Sequence, residues 1–169
     1  MHEKLNNYAY IDGQNLNVGI RDLGWKLDFK RFRVYLRDKY SVSRAYLFVG
    51  YIPQNQDLYV ALQKYGYIVK FKPVINSSSG QQKGNVDADM VLQIVIDHFE
   101  KVCDHAVLVT SDGDFYSVVQ FLQDKKTLER VLSPHYKTCS TLLKRTAREK
   151  ISFMDNLRNK LEYKKKSTA

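Results

Sequence analysis

The chain has 169 residues, is 44% hydrophobic and carries a formal charge of +9, with pI about 9.4. That length and apolar content suit one globular domain with a sizeable core and exclude a disordered chain. No apolar run reaches the roughly 18 residues of a membrane span, and no apolar signal-peptide core precedes the first strand, so a cytoplasmic protein without a membrane partner is expected. Cys103 and Cys139 are too few for a disulfide framework and form no CxxC pair. They read as small, half-buried hydrophobes.

In chain order, Tyr8–Ile11 is a short apolar strand that runs into Asp12-Gly13-Gln14-Asn15. Asp28–Tyr40 sets Phe29, Phe32, Leu36 and Tyr40 at helical spacing. Arg44–Tyr51 is a buried strand. Asp57–Tyr65 is a helix with Leu58, Ala61, Leu62 and Tyr65 on one face and Gly66 as its C-terminal cap. Tyr67–Ile75 is a strand broken at Pro73, which places its end at a sheet edge or outside the sheet. Residues 76–85, NSSSGQQKGN, read as a flexible loop. Asp87–Val102 is a helix whose apolar stripe is Val91, Ile94, Val95, His98 and Phe99, with His98 as a core residue. Ala106–Thr110 is a fully buried strand, Phe115–Gln123 a helix, Arg130–Leu132 a strand, Ser140–Lys144 part of a helix, and Ile151–Met154 a last short strand. Residues 1–155 form the domain and residues 156–169 a basic tail. Strands alternating with helices predict an α/β fold with a mainly parallel sheet covered on both faces. Right-handed crossovers put the carboxyl ends of its strands on one side.

Four aspartates converge on that side. Asp12 directly follows the first strand, and its structural role would be to cap the next helix, as Asn15 could too. Asp112 and Asp114 sit two apart across Gly113 after the uncharged strand AVLVT. Gly113 would permit backbone angles closed to other residues, and Asp114 could cap the following helix. Asp87 and Asp89 open the long central helix, where the helix dipole favours acids. Asp87 shares the sheet-facing stripe with Val91 and Ile94, whereas Asp89 lies about 200° round the helix. Carboxylates gathered at strand carboxyl ends suit a hard cation, Mg²⁺ or Mn²⁺. Such a cation lowers the pKa of water and neutralises a leaving oxygen, as phosphodiester hydrolysis requires.

The basic residues point to the same substrate class. Residues 137–169 hold ten Lys or Arg against three acids, which places most of the net charge near one end. That asymmetry predicts a polyanion-binding flank. Asn15, Lys83, Ser111, Lys144 and Arg145 are the expected substrate contacts, with RNA as the partner. Competing chemistries lack their residues. Position 14 is Gln where a DxD phosphatase needs Asp, Gly80–Gly84 is not followed by the Ser or Thr of a P-loop, and the four histidines lack zinc spacing. His135, beside Pro134 at a strand end, could reach the cleft.

The segments YAYIDGQNL, KGNVDADMVLQIVID and VLVTSDGDFYSVVQFL, followed by LSP and a short hydroxyl-rich helix, resemble the NYN-domain family of LabA-like proteins, within the PIN-like nucleases. The resemblance runs from about Tyr8 to Met154. It implies a PIN-like three-layer α/β/α sandwich and a metal-dependent ribonuclease in which Asp12, Asp87, Asp112 and Asp114 are metal-binding, catalytic acids. It makes Asn15 and Ser111 neighbours of the site, leaves Asp89 open and puts Asp97 on the surface. PIN-like folds often pair, and the Tyr and Phe content leaves room for a homodimer interface. The alternative is an RNA-binding or regulatory scaffold module with a vestigial metal site.

Overall fold

Six strands form one wholly parallel sheet in the order β3-β2-β1-β6-β7-β8. They are β1 (Asn7–Asp12), β2 (Val42–Gly50), β3 (Tyr67–Lys72), β6 (Ala106–Val109), β7 (Leu128–Ser133) and β8 (Ile151–Phe153). The short strands β4 (Ile75–Asn76) and β5 (Gln82–Lys83) pair with each other, antiparallel. The computed structural model describes residues 5–72, 75–76, 82–83 and 86–165. The reading of 76–85 as a loop falls largely outside them. β3 stops at Lys72, on the sheet edge, so the strand ends before Pro73.

Each face of the sheet is covered by helices, which gives the three-layer α/β/α sandwich. One face carries α1 (Gly13–Asp22), α2 (Phe29–Tyr40), α3 (Gln56–Lys64) and the short α7 (Arg158–Leu161) over Ala9, Ile11, Ala45, Leu47, Val107 and Val109. The other carries α4 (Val86–Phe99), α5 (Tyr116–Asp124) and α6 (Thr141–Ala147) over Tyr8, Tyr10, Tyr46, Phe48 and Leu108. Strand alternation assigns these two sets. β1 and β6 are buried along their whole length because helices cover both sides. Among the described residues no helix is long and apolar enough to cross a membrane.

Helix α1 has no counterpart among the predicted elements. Asp12 is its N-cap, accepting a hydrogen bond from the Asn15 amide (3.1 Å), so Asn15 does not cap it. Gly13, its first residue, lies against β2. A Cβ there would come within 2.5 Å of a Val49 methyl and 2.9 Å of the Phe48 carbonyl oxygen. Gly13→Ala is therefore expected to destabilise the fold by about 1–3 kcal/mol through overpacking, read as a lower denaturation midpoint with an unchanged m-value.

Three further expectations are corrected. Asp97 is not at the surface. It is 3% exposed and accepts hydrogen bonds from the Tyr10 hydroxyl (2.8 Å) and Gln93 Nε2 (2.9 Å). Phe99 is 67% exposed, because the buried stripe of α4 is Met90, Ile94 and Asp97. His98 is only half-buried, its ring lying against Phe99 and Phe121. Towards the C-terminus, Leu161 is buried and its carbonyl accepts from the Asp28 amide (2.8 Å).

Candidate metal centre at the switch point of the sheet

Strand order reverses between β1 and β6: β1 continues outward to β2 and β3, while β6 continues to β7 and β8 on the other side. In open parallel sheets, ligands gather beyond the carboxyl ends at such a switch point. Ile11 pairs with Val109, so Asp12 and Thr110 stand side by side where the two strands end. Thr110 Oγ1 donates to Asp12 Oδ2 (3.5 Å) and accepts from the Asp112 amide (3.1 Å). One threonine hydroxyl thus joins the two acidic turns.

Asp112 opens a single 3₁₀ turn, Gly113–Phe115, and its Oδ1 accepts from the Asp114 amide (2.9 Å). Asp114 does not cap α5. The N-cap of α5 is Phe115, which has no side-chain cap. Gly113 has no positive φ, so its role is closeness rather than backbone freedom. A Cβ there would lie 2.5 Å from Ser140 Oγ, the residue that caps α6. The Ser140 amide donates to the Ser111 carbonyl (3.0 Å), which ties the start of α6 to the acidic turn.

Asp87, in the first turn of α4, completes the cluster. Asp87, Asp112 and Asp114 each offer a carboxylate oxygen, and the three atoms lie within 4.8 Å of one another. Asp87 and Asp112 are half-buried, Asp114 is exposed, and Asp89 stands outside the trio. Asp12 lies at the edge of this group, 6% exposed. Burial, and then the charges of Asp87 and Asp112, push its carboxyl up to about 6 despite the Asn15 hydrogen bond. Burial, with Asp112 and Asp114, also raises Asp87. All the donors are hard oxygens, with no His or Cys among them. The set therefore suits a hard divalent cation.

The other expected contacts are placed as follows. Asn15 Oδ1 accepts from the Ser111 amide (2.7 Å), bracing α1 against the end of β6. Ser111 is buried, and its hydroxyl pairs with Ser133 Oγ (2.8 Å). Lys144 Nζ donates to the Tyr136 carbonyl (2.9 Å) and lies 3.9 Å over the Tyr136 ring, while Arg145 is exposed. The Lys83 side chain lies outside the described residues. His135 is held by Asp155 (3.1 Å). Lys72, at the end of β3, escaped the sequence reading although it lies in the field of Asp87, Asp12 and Asp89. Its signal was the alternation Ile68, Lys70, Lys72 in YIVKFK, which puts cations on one face of a strand.

An acid cluster at the switch point of a parallel, three-layer sheet defines the PIN-like class. The chain belongs to the NYN domain family, whose model matches residues 8–155. It is similar to the low amplitude and bright protein LabA of Synechococcus elongatus, with 32% identity over 133 residues, covering 73% of this chain and 71% of that protein. It also resembles the crystal structure of a Vibrio parahaemolyticus protein of unknown function, with a TM-score of 0.77 over 95% of this chain and 98% of that one. At 22% identity, the second likeness shows the fold.

Proposed function

We propose that the chain is a metal-dependent ribonuclease that hydrolyses RNA phosphodiester bonds at the acid cluster. The observation that carries this reading is the meeting of Asp87, Asp112 and Asp114 from two separate segments, beside the buried Asp12. Without a counter-charge such a grouping repels itself. Asp87, Asp112 and Asp114 would hold Mg²⁺ or Mn²⁺, and Asp12 would add negative charge beside them. Bound there, the cation supplies Lewis acidity for water and for the leaving oxygen. Asn15 and Ser111 keep the ends of α1 and β6 in register. Lys83, Lys144 and Arg145 attract the RNA backbone. Hydrolysis by water would leave 5′-phosphate and 3′-hydroxyl ends.

A second reading, an RNA-binding scaffold with a vestigial site, draws on the structural work two of the acids already do: Asp12 caps α1, and Asp112 closes the 3₁₀ turn. Two measurements separate the readings. Mn²⁺ at about a hundred times its dissociation constant should stabilise a preformed site by about 2.7 kcal/mol, which in a chain of this size raises the melting temperature by about 5–10 °C. A vestigial site gives no rise. On the ribonuclease reading, fragments of a labelled RNA carry 5′-phosphates and vanish in EDTA. Fragments with cyclic phosphate ends that persist in EDTA would oppose it.

A further inference from the structure

Helix α4 packs over β1 and β2, and among the described residues no helix packs on β3 from that face of the sheet. There β3 presents Ile68 and Lys70, both exposed, and Lys72, half-buried. Register places these residues relative to the acids. Asp12, Phe48 and Lys70 stand in one row across three strands, Tyr10, Tyr46 and Ile68 in the next, and Tyr8 with Arg44 in the row beyond. Rows two residues apart are about 6.6 Å from each other, and neighbouring strands about 4.8 Å. Arg44, Lys70 and Lys72 therefore line a shelf about 20 Å long that ends at the acid cluster.

The shelf has the surface chemistry of a polyanion track. Arg44 and Lys70 are exposed, and neither forms an ion pair with a carboxylate among the described residues. Each is set over an aromatic ring: the Arg44 guanidinium 5.0 Å from the Tyr8 centroid, and Lys70 Nζ 5.7 Å from that of Tyr46. Arg44 also donates to the Tyr46 hydroxyl (3.3 Å). A guanidinium seated over a ring keeps outward-facing donors for a phosphate, and Ile68 gives a neighbouring base an apolar contact. On the far side of the cluster, Lys144 is already engaged with Tyr136.

We infer that single-stranded nucleic acid reaches the acid cluster along the β2–β3 shelf, with Arg44, Lys70 and Lys72 on its phosphates. The inference rests on the ribonuclease reading and adds the route of the substrate. Phosphates on this shelf would be drawn along the sheet towards Lys72, which offsets the repulsion that Asp12 and Asp87 exert on an approaching polyanion.

The test is fluorescence anisotropy of a labelled 12-nucleotide RNA with the full chain in EDTA, which keeps the probe whole, over a range of salt. Arg44→Glu/Lys70→Glu is compared with Lys30→Glu/Lys64→Glu, which makes the same charge change on the helices of the opposite face. The shelf variant should lose at least about tenfold in affinity, with a salt slope shallower by about one for each lost phosphate contact. The control should change less than about threefold. Lys70→Glu alone, at an exposed position, shows the same direction if the double variant folds poorly. Equal losses in the two double variants, or none in either, overturn the shelf while RNA binding by the wild type stands. No binding by the wild type removes the shelf and leaves the ribonuclease reading to the cleavage assay in Mn²⁺.

Discussion

Replacing Asp12 with Asn is expected to make the metal-free protein more stable at neutral pH. The Asp12 carboxyl is pushed up to about 6 from 3.8 by burial and by the charges of Asp87 and Asp112. Because the folded state holds this proton more tightly than the unfolded chain, stability rises as pH falls from about 6 towards about 4 and is lost as pH rises through 6. At pH 7.5 the ionised side chain costs the fold on the order of 2–3 kcal/mol. Asn removes that cost and still accepts the Asn15 amide hydrogen bond, since Asn caps helices as well as Asp does. The gain should appear in thermal melts in EDTA as about 5–10 °C at pH 7.5, shrinking to about a third of that near pH 4.5 and to little below about pH 4. Saturating Mn²⁺ should narrow it, because a cation near the carboxyl favours its ionised form. A variant less stable than the wild type at pH 7.5, or a gap that ignores pH, would show that Asp12 is not held under electrostatic strain.

The second large effect is on catalysis. Asp87→Asn, Asp112→Asn and Asp114→Asn should each lower cation-dependent RNA cleavage by at least about 100-fold, and Asp87→Asn/Asp112→Asn should lose little beyond the worse of its two singles. Residues that act as one unit behave in this non-additive way. Asp112→Asn tests this most cleanly, because Asn can still accept the Asp114 amide and keep the 3₁₀ turn. Losses that multiply across the double variant would mean that the acids act separately.

The site was legible where chemistry and burial coincide. AVLVTSDGD is an uncharged strand followed by two acids, and only a strand covered on both faces, such as β6, reads that way. Asp87 was legible because its stripe, with Val91 and Ile94, faces the sheet. Helix α1 was not, since GQNLNVGIRD carries only Leu16 and Ile20 as large core residues. Asp12 is its cap, and the acid that sequence offers to the site is thus also the start of the helix. The errors on α4 have a different origin. Met90 to Ile96 is apolar almost all the way round, so periodicity cannot choose the buried face. The choice falls to a polar requirement, an acceptor for the buried Tyr10 hydroxyl, which brings Asp97 inward and turns Phe99 out. Such a pairing, between partners 87 positions apart, leaves no mark on local sequence. Gly113 reads from sequence as a source of backbone freedom. Gly13 and Gly113 are both needed for close approach, to β2 and to Ser140, which only the assembled fold reveals.

The most direct measurement is the rate of cleavage of end-labelled single-stranded RNA by the wild type and by Asp112→Asn, side by side in Mn²⁺, in Mg²⁺ and in EDTA. Cleavage by the wild type that needs the cation, and falls at least about 100-fold in a variant that melts normally, is the expected result. RNA left intact in every condition, or cut equally by the two proteins, would contradict a ribonuclease built on these acids.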